Sequence, residues 1–162
     1  MTDNNEVELL INADHTTASK HIYNGLKCFA RIVPGGYIDG DTIKVIFHFH
    51  GQLVENKIRL LGINAPESRT LDLKEKKKGI EAKKYFESIC KTNTHDIVYI
   101  ECGEFDNFGR VLGYVYQIYF GETNPEPDNV EPFGGSHFIF KSKKTLNDKM
   151  VETGHAKPFM LE

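Results

Sequence analysis

Charged and polar side chains occur at three places where predicted strands end. These places are the corner Asp39-Gly40-Asp41, the segment from Arg59 to Glu67, and the run Phe108-Gly109-Arg110. A hard divalent cation binds oxygen ligands in a flexible cage, and the carboxylate of Asp41, the side-chain oxygen of Asn64, backbone carbonyls and water are ligands of that kind. The sequence therefore contains donors for a hard divalent cation, provided that the fold brings them together.

One glutamate and two arginines add the groups that phosphodiester hydrolysis needs. Glu67 can activate or orient a water, while Arg59 and Arg110 can bind a phosphate bidentately and stabilise the charge added as phosphorus becomes five-coordinate. The pattern alone does not place these groups side by side. An Asp-Gly-Asp corner is most often a simple turn, and arginines on a small domain most often pair with surface acids, so both interpretations stay open at this point.

Hydrophobic periodicity predicts the elements that must position these groups. Apolar and polar residues alternate from Ile43 to Phe49, the period-two pattern of a half-buried strand, and Asp39-Gly40 is a hairpin corner before it. Further strands are predicted over 28–38 with an interruption at 34–36, and over 53–63, 97–102, 110–120 and 137–140. An apolar stripe predicts a helix over 79–91, and a Thr145 cap with Gly154 as a stop predicts a second one.

This order of elements favours one small closed sheet. We expect a β-rich α+β fold, namely a five-stranded OB-fold barrel with two or three helices packed on it. The chain has 162 residues, 40% of them hydrophobic, which is enough for one core and too short for two ordinary domains. We expect residues 1–20, which show no sustained periodicity, to be poorly ordered and flexible, residues 21–162 to form a single domain, and a solvated loop to be inserted at about 117–141.

Charge and cysteine content limit the partners and the compartment. The net charge of -3 argues against a general polyanion binder, so any contact with nucleic acid must come from local patches. Cys28, Cys90 and Cys102 are odd in number and lack CxxC spacing, which fits core residues in a reducing compartment. No signal peptide or membrane span is visible, so we expect a soluble intracellular protein that has no membrane partner and acts as a monomer.

Five motifs in a fixed order resemble the staphylococcal nuclease (thermonuclease) family. The motifs are IDGDT at 38–42, IRLLGINAPE at 58–67, the pair Glu81-Ala82 in the predicted helix, DNFGRVLGYVY at 106–116 and LNDKMVETGHA at 146–156. Each motif alone is weak, but the ordered set is specific, and the similarity runs from about Ile32 to Lys157 apart from the insert. The resemblance implies an OB-fold barrel with calcium-dependent phosphodiesterase activity on DNA and RNA, releasing products with a 3'-phosphate and a 5'-hydroxyl.

The resemblance also implies a set of metal ligands. Asp41 matches the family's calcium-binding aspartate, Asn64 matches its second calcium aspartate, and Ala65 matches the residue whose backbone carbonyl binds calcium. Asp39 matches an acid close to the metal. Asn64 departs from the family, because an amide keeps the oxygen but removes a full negative charge beside the metal. We expect weaker calcium binding or a different metal preference.

Three further positions match the family's catalytic groups, and one matches a structural group. Arg59 and Arg110 match the two catalytic arginines, and Glu67 matches the proposed general base, a role that is debated in the family. Asn147 matches a buried structural asparagine. The resemblance thus implies the same roles for the charged residues that the pattern had singled out.

The residues that would hold the substrate differ in type from those of the family. Asn107 and Phe108 stand where the family has a lysine and a tyrosine, and a phenyl ring can stack on a base but cannot donate a hydroxyl hydrogen bond. A lysine run at 74 and 76–78 includes Lys77 and Lys78. This run either is a solvated face or steers a polyanion toward the site, and the sequence favours neither interpretation.

Two function classes follow from these observations. The first is a calcium-dependent nuclease with DNA, RNA or both as substrate. The second is a non-catalytic nuclease-like OB module that binds nucleic acid or protein. The presence of Asp41, Arg59, Glu67 and Arg110 favours the enzyme, since a degenerate copy is expected to lose such groups. The neutral Asn64 favours the module.

Overall fold

Alternating apolar residues build the five long strands of a closed barrel. The computed structural model describes residues 3–121 and 128–159, and its helices and strands, in chain order, are α1 (Asp3–Ile11), β1 (Lys27–Asp39), β2 (Thr42–Phe49), β3 (Gln52–Leu60), β4 (Ile63–Asn64), α2 (Leu73–Cys90), β5 (Ile97–Phe105), β6 (Val111–Phe120), β7 (Val130–Pro132), β8 (Ile139–Ser142), α3 (Leu146–Glu152) and β9 (Lys157–Pro158). Neighbouring barrel strands pair in the order β3-β2-β1-β5-β6, and a parallel pairing of β3 with β6 closes the barrel. The predicted OB-fold barrel is confirmed.

The inward face of each barrel strand forms the core. Ile43 and Val45 on β2 lie opposite Ile58 and Asn56 on β3, and the three apolar side chains of this set are fully buried. The free thiols Cys90 and Cys102 are buried as predicted, and burial raises the pKa of Cys102 to about 12. The period-two pattern therefore correctly separated the side chains that fill the barrel from those that face outward.

The helix after the third strand begins earlier than its apolar stripe predicts. The stripe predicted a helix over 79–91, whereas α2 begins at Leu73 because the Asp72 carboxylate caps it, accepting from the amides of Lys74 and Glu75 at 3.0 and 3.3 Å. The first turns are polar and exposed, so they carry no apolar periodicity. The predicted cap of the last helix is confirmed, since Thr145 Oγ1 accepts from the amide of Asp148.

The segment at 117–141, where an inserted loop was expected, contains strand residues as well as loop. Strand β6 continues to Phe120, β8 pairs with it, and β7 pairs with β8, so the barrel sheet gains two strands on one side. Phe133 covers the outer face of the barrel, with ring centroids 4.7 Å from Phe29 and 5.0 Å from Tyr99. The strands predicted over 110–120 and 137–140 correspond to β6 and β8, whereas β7 was not predicted, and residues 122–127 lie outside the described part of the chain.

The N-terminal segment is helical in part, and its expected flexibility stays a prediction. It contains α1 and a short 3-10 helix, His15–Thr17, in which every described residue is exposed. Asp3 and Glu6 lie in the first turn of α1, where negative charge favours a helix. Because α1 buries no side chain, it leaves no amphipathic pattern to detect. Within residues 3–121 and 128–159, no helix is long and apolar enough to cross a membrane.

Candidate active site

The Asp39-Gly40-Asp41 corner is the turn between β1 and β2, and it is packed against α2. Gly40 sits so close to the helix that an added Cβ would lie 2.9 Å from the Cβ of Ala82. Asp41 is only 5% exposed, and its Oδ2 accepts a 2.7 Å hydrogen bond from the amide of Ala65. Its Oδ1 accepts from the hydroxyl of Thr42. The corner is therefore more than a simple turn, because it positions a buried carboxylate against the segment that follows β4.

Arg59 lies beside this carboxylate and is tied to the backbone. Its Nη1 donates to the carbonyls of Leu60 and Ile63, both at 2.9 Å. Its Nη2 donates to Asn64 Oδ1 at 3.1 Å and lies 3.4 Å from Asp41 Oδ2. Burial lowers the pKa of Arg59, the negative charge of Asp41 partly offsets this, and the positive charge of Arg110 lowers it further. The structure thus brings Asp41, Arg59 and Asn64 together, and an arginine keeps its proton in such surroundings.

Asp39 anchors the loop that carries Glu67. Its Oδ1 accepts from the hydroxyl of Ser68 at 2.6 Å and from the amide of Ser68 at 3.1 Å. On the other side of this loop, Gly79 of α2 touches the backbone, since an added Cβ would lie 2.2 Å from the carbonyl oxygen of Glu67. Sequence reasoning missed Ser68 and Gly79. Their contacts fix the backbone at Glu67 while leaving its side chain exposed.

Arg110 is held by an aspartate that sequence reasoning also missed. Asp106 Oδ2 accepts a 2.6 Å hydrogen bond from Arg110 Nε, and Oδ1 accepts from the backbone amides of Phe108 and Arg110. Burial acts to raise the pKa of Asp106, but these hydrogen bonds and the Arg110 charge outweigh it, so the pKa lies below its usual value. The signal in the sequence was the spacing of Asp106 and Arg110 in DNFGR. Four residues are few enough for the two ends of a loop to form an ion pair.

Two adjoining cavities share Arg110 and Phe108. The larger, of about 710 Å³, is lined by Lys44, Glu55, Asn56, Lys57, Glu67, Phe108, Gly109 and Arg110, and we call it the glutamate cleft. The smaller, of about 240 Å³, is lined by Arg59, Leu60, Leu61, Gly62, Ile63, Asp106, Asn107, Phe108, Arg110, Leu112 and Phe159, and we call it the arginine cavity. Both predicted catalytic arginines thus open into one cavity, and Arg110 also faces the cleft that contains Glu67.

The arginine cavity combines two cations with aromatic and aliphatic walls. Phe108 is 83% exposed, and the Arg110 guanidinium carbon lies 5.3 Å from its ring centroid. Phe159, which sequence reasoning missed, reaches the cavity because its amide donates to the carbonyl of Gly62 at 2.8 Å. Such a site can bind a group that joins an anion to a flat apolar ring.

A third cavity, of about 400 Å³, lies beside Asn64. Its lining includes Asn64 and Ala65 together with Lys74, Lys78 and Lys157. Lys77, named with Lys78 as a candidate substrate residue, lines none of the three cavities described here. Adjacent helical residues point about 100° apart, so neighbouring lysines on α2 do not face the same surface.

The oxygen donors near Arg59 suit a hard cation in type but supply little charge. Asp41 contributes a carboxylate, Asn64 an amide oxygen, and Ala65 a backbone carbonyl. Within residues 3–121 and 128–159, no group of three or more histidine, cysteine or acidic side chains is arranged to hold a metal ion. Oxygen-only donors with one carboxylate are compatible with weakly held Ca²⁺. The donor types of these residues therefore fit Ca²⁺, although they carry less negative charge than a site with two carboxylates.

Comparison with known proteins links this site to one family. A family model described as staphylococcal nuclease homologue matches residues 57–161, more than half of the chain, and this range includes Arg59, Asn64, Glu67 and Arg110. An uncharacterized protein of Bacillus anthracis is 31% identical over 116 residues, which is 70% of this chain and 50% of that protein. The chain thus spans about half the length of this curated relative.

Proposed function

Because the chain belongs to the family of staphylococcal nuclease homologues, we propose that it is a calcium-dependent nuclease acting as a monomer on DNA, RNA or both. Cleavage leaves a 3'-phosphate and a 5'-hydroxyl. The observation that carries the proposal is the position of the arginines: Arg59 and Arg110 open into one cavity, and Arg110 also lines the cleft that contains Glu67. A phosphate at Arg110 is therefore within the reach of both the second arginine and a carboxylate.

The chemistry follows from the charges at this position. The guanidinium groups of Arg59 and Arg110 bind the phosphate oxygens and stabilise the negative charge that increases as water attacks phosphorus. Glu67 accepts the proton of the attacking water. A bond forms between the water oxygen and phosphorus, and the bond to the 5'-oxygen breaks, so that this oxygen leaves and takes up a proton. A calcium ion held by Asp41, Asn64 and the Ala65 carbonyl would supply Lewis-acid polarisation of the phosphate.

The arginine cavity is the proposed site for the nucleotide next to the scissile bond. Phe108 and Phe159 offer aromatic surfaces for a base, and Asn107 offers an amide for hydrogen bonding. Stacking on an aromatic side chain contributes about 1–3 kcal/mol per base and tolerates any base. We therefore propose binding with little base preference.

The test is cleavage of labelled single-stranded DNA, duplex DNA and RNA in the presence of Ca²⁺, Mg²⁺, Mn²⁺ or EDTA. Wild type should cleave only with a metal ion, and Glu67→Gln should be about 100-fold slower or worse, because general-base catalysis typically contributes 10²–10⁴-fold. Glu81→Gln, an exposed acid on α2, is the matched control and should cleave normally. Cleavage that continues in EDTA or in Glu67→Gln would contradict the proposed mechanism.

A non-catalytic module that binds nucleic acid or protein is the second candidate, and the neutral Asn64 favours it. Its signature in the same experiment is a wild-type protein that binds nucleic acid but cleaves none of the three substrates with any metal ion. That result would replace the nuclease proposal.

Restoring the carboxylate at position 64 should strengthen calcium binding. Asn64→Asp adds a negative charge to a donor set that has only one carboxylate, and we expect the Kd for Ca²⁺ to fall by about tenfold or more, since ligand charge is a main determinant of calcium affinity. Isothermal titration of wild type and variant measures this directly. Asn5→Asp, on the exposed surface of α1, adds the same charge away from the donors and should change the Kd little. Equal affinities in Asn64→Asp and wild type would contradict the assigned ligand set.

A further inference from the structure

Two lysines stand directly opposite each other on the outer face of the barrel, next to the proposed catalytic site. Lys44 of β2 pairs with Lys57 of β3, one register pair from the buried couple Ile43 and Ile58. Since side chains alternate between faces of a strand, Lys57 lies on the same face as Arg59, two residues along β3. Both lysines line the glutamate cleft, which also contains Glu67 and Arg110.

This lysine pair is electrostatically unfavourable by itself. Like charges directly opposite each other on neighbouring strands destabilise a sheet. The ion pairs between residues of the described ranges involve neither Lys44 nor Lys57. Although Glu55 and Glu67 also line the cleft, neither lies within ion-pair distance of the lysines. The cleft lining thus carries three cations against two carboxylates, and neither lysine has an ion-pair partner within residues 3–121 and 128–159.

We propose that Lys44 and Lys57 bind the backbone phosphate adjacent to the scissile one, so that the cleft grips two consecutive phosphates of a nucleic acid strand. This inference rests on the proposed nuclease function. Residues two apart on a strand are separated by about 6.6 Å, close to the spacing of successive phosphates in an extended single strand. An anion between the two lysines would replace their mutual repulsion by two attractions.

The next residue on this face limits the length of the positive surface. Glu55 precedes Lys57 by two residues on β3 and therefore lies on the same face, opposite the uncharged Ile46. A carboxylate at this point repels a further phosphate. The site therefore recognises one extra phosphate and no longer run of the backbone.

The experiment compares Lys44→Gln/Lys57→Gln with a control that loses the same charge elsewhere, Lys27→Gln/Lys143→Gln. Both control lysines are exposed and lie outside the cleft. Binding of a fluorescent single-stranded DNA 10-mer is measured with Ca²⁺ in a Glu67→Gln background over a series of salt concentrations. Each lost phosphate contact lowers the slope of log K against log salt by about 0.7 for single strands. The cleft variant loses one phosphate contact, so its slope should be smaller in magnitude by about 0.7, whereas the control should keep the slope of the parent.

Cleavage kinetics provide the second measurement. For the 10-mer, kcat/KM should fall by about tenfold or more in the cleft variant. For a dinucleoside monophosphate, which has a single phosphodiester and no second phosphate, kcat/KM should be the same in wild type, cleft variant and control. A cleft variant that affects both substrates equally would contradict an adjacent-phosphate site.

A stability measurement shows whether the cleft variant is folded and tests the same electrostatic argument. Because the substitution removes a repulsive pair, its urea midpoint should match or exceed that of wild type. The single variant Lys57→Gln, with a smaller change in slope, serves if the double variant does not fold. Normal cleavage by wild type with indistinguishable cleft and control variants would overturn this inference alone. A wild type that does not cleave any substrate would overturn the proposed function, and this inference with it.

Discussion

Replacing Arg110 with alanine should lower kcat for cleavage by about 10²–10³-fold, since removing one preorganised donor to transition-state charge typically has that effect. Arg110 faces both the arginine cavity and the glutamate cleft, so it is the cation that a phosphate between Arg59 and Glu67 would meet. The fold should tolerate the change. Asp106 would keep the backbone amides of Phe108 and Arg110 as donors, so its carboxylate would not be left unpaired.

Arg110→Ala is a cleaner test than the same change at Arg59. Arg59 is 12% exposed and donates to two backbone carbonyls, so Arg59→Ala would remove structural hydrogen bonds together with any catalytic group. Single-turnover cleavage with saturating enzyme gives the chemical step, and circular dichroism checks the fold. Arg31→Ala, on the exposed face of β1, is the matched control and should retain full activity. If Arg110→Ala turned over like Arg31→Ala, the catalytic assignment would be wrong.

The barrel was predictable because local patterns specify it. The alternation of apolar and polar residues from Ile43 to Phe49 indicates which face of β2 is buried. The interruption predicted at 34–36 coincides with the irregular pairing of β1 with β2. The rim on which the charged groups meet follows from strand order, since Asp41 and Arg59 are near the paired ends of β2 and β3. Strand order and family motifs therefore pointed to Asp41, Arg59 and Asn64, which meet, whereas the candidate Lys78 lines a separate cavity.

The contacts that hold these groups in place were not predictable in the same way. The Glu67 loop is held by the hydrogen bond from Ser68 to Asp39 and by the close approach of Gly79 to the Glu67 carbonyl. These contacts join residues that are distant in the sequence, and no periodicity marks them. Phe159 reaches the arginine cavity through a bond to the loop after β3. The three-residue strand β7 is held by pairing with β8, which in turn pairs with β6, so tertiary structure overrides a segment that is rich in proline and glycine.

Asn147 should be among the side chains on which the stability of this fold depends most. It is 2% exposed, and its Nδ2 donates to the carbonyls of Leu61 and Gly113 at 2.9 and 3.0 Å while its Oδ1 accepts from the amide of Val115. One amide thus connects α3 to β6 and to the residue that follows β3. Leu61 lines the arginine cavity, so the same side chain also supports the proposed nucleotide site.

Asn147→Ala should lower the free energy of unfolding by about 3 kcal/mol, because each buried backbone group left without a partner costs about 1–3 kcal/mol. The Gly113 carbonyl would keep the amide of Leu61 as a donor, so the Leu61 carbonyl and the Val115 amide account for most of the loss. Urea unfolding measures this as a lower midpoint with an unchanged m value. Asn147→Asp keeps the acceptor for Val115 but has no donor at neutral pH for the two carbonyls, so it should destabilise at least as much. Asn5→Ala, the same change on the exposed surface of α1, should stay within about 0.5 kcal/mol of wild type. Equal midpoints for Asn147→Ala and Asn5→Ala would mean that the buried network contributes nothing to stability.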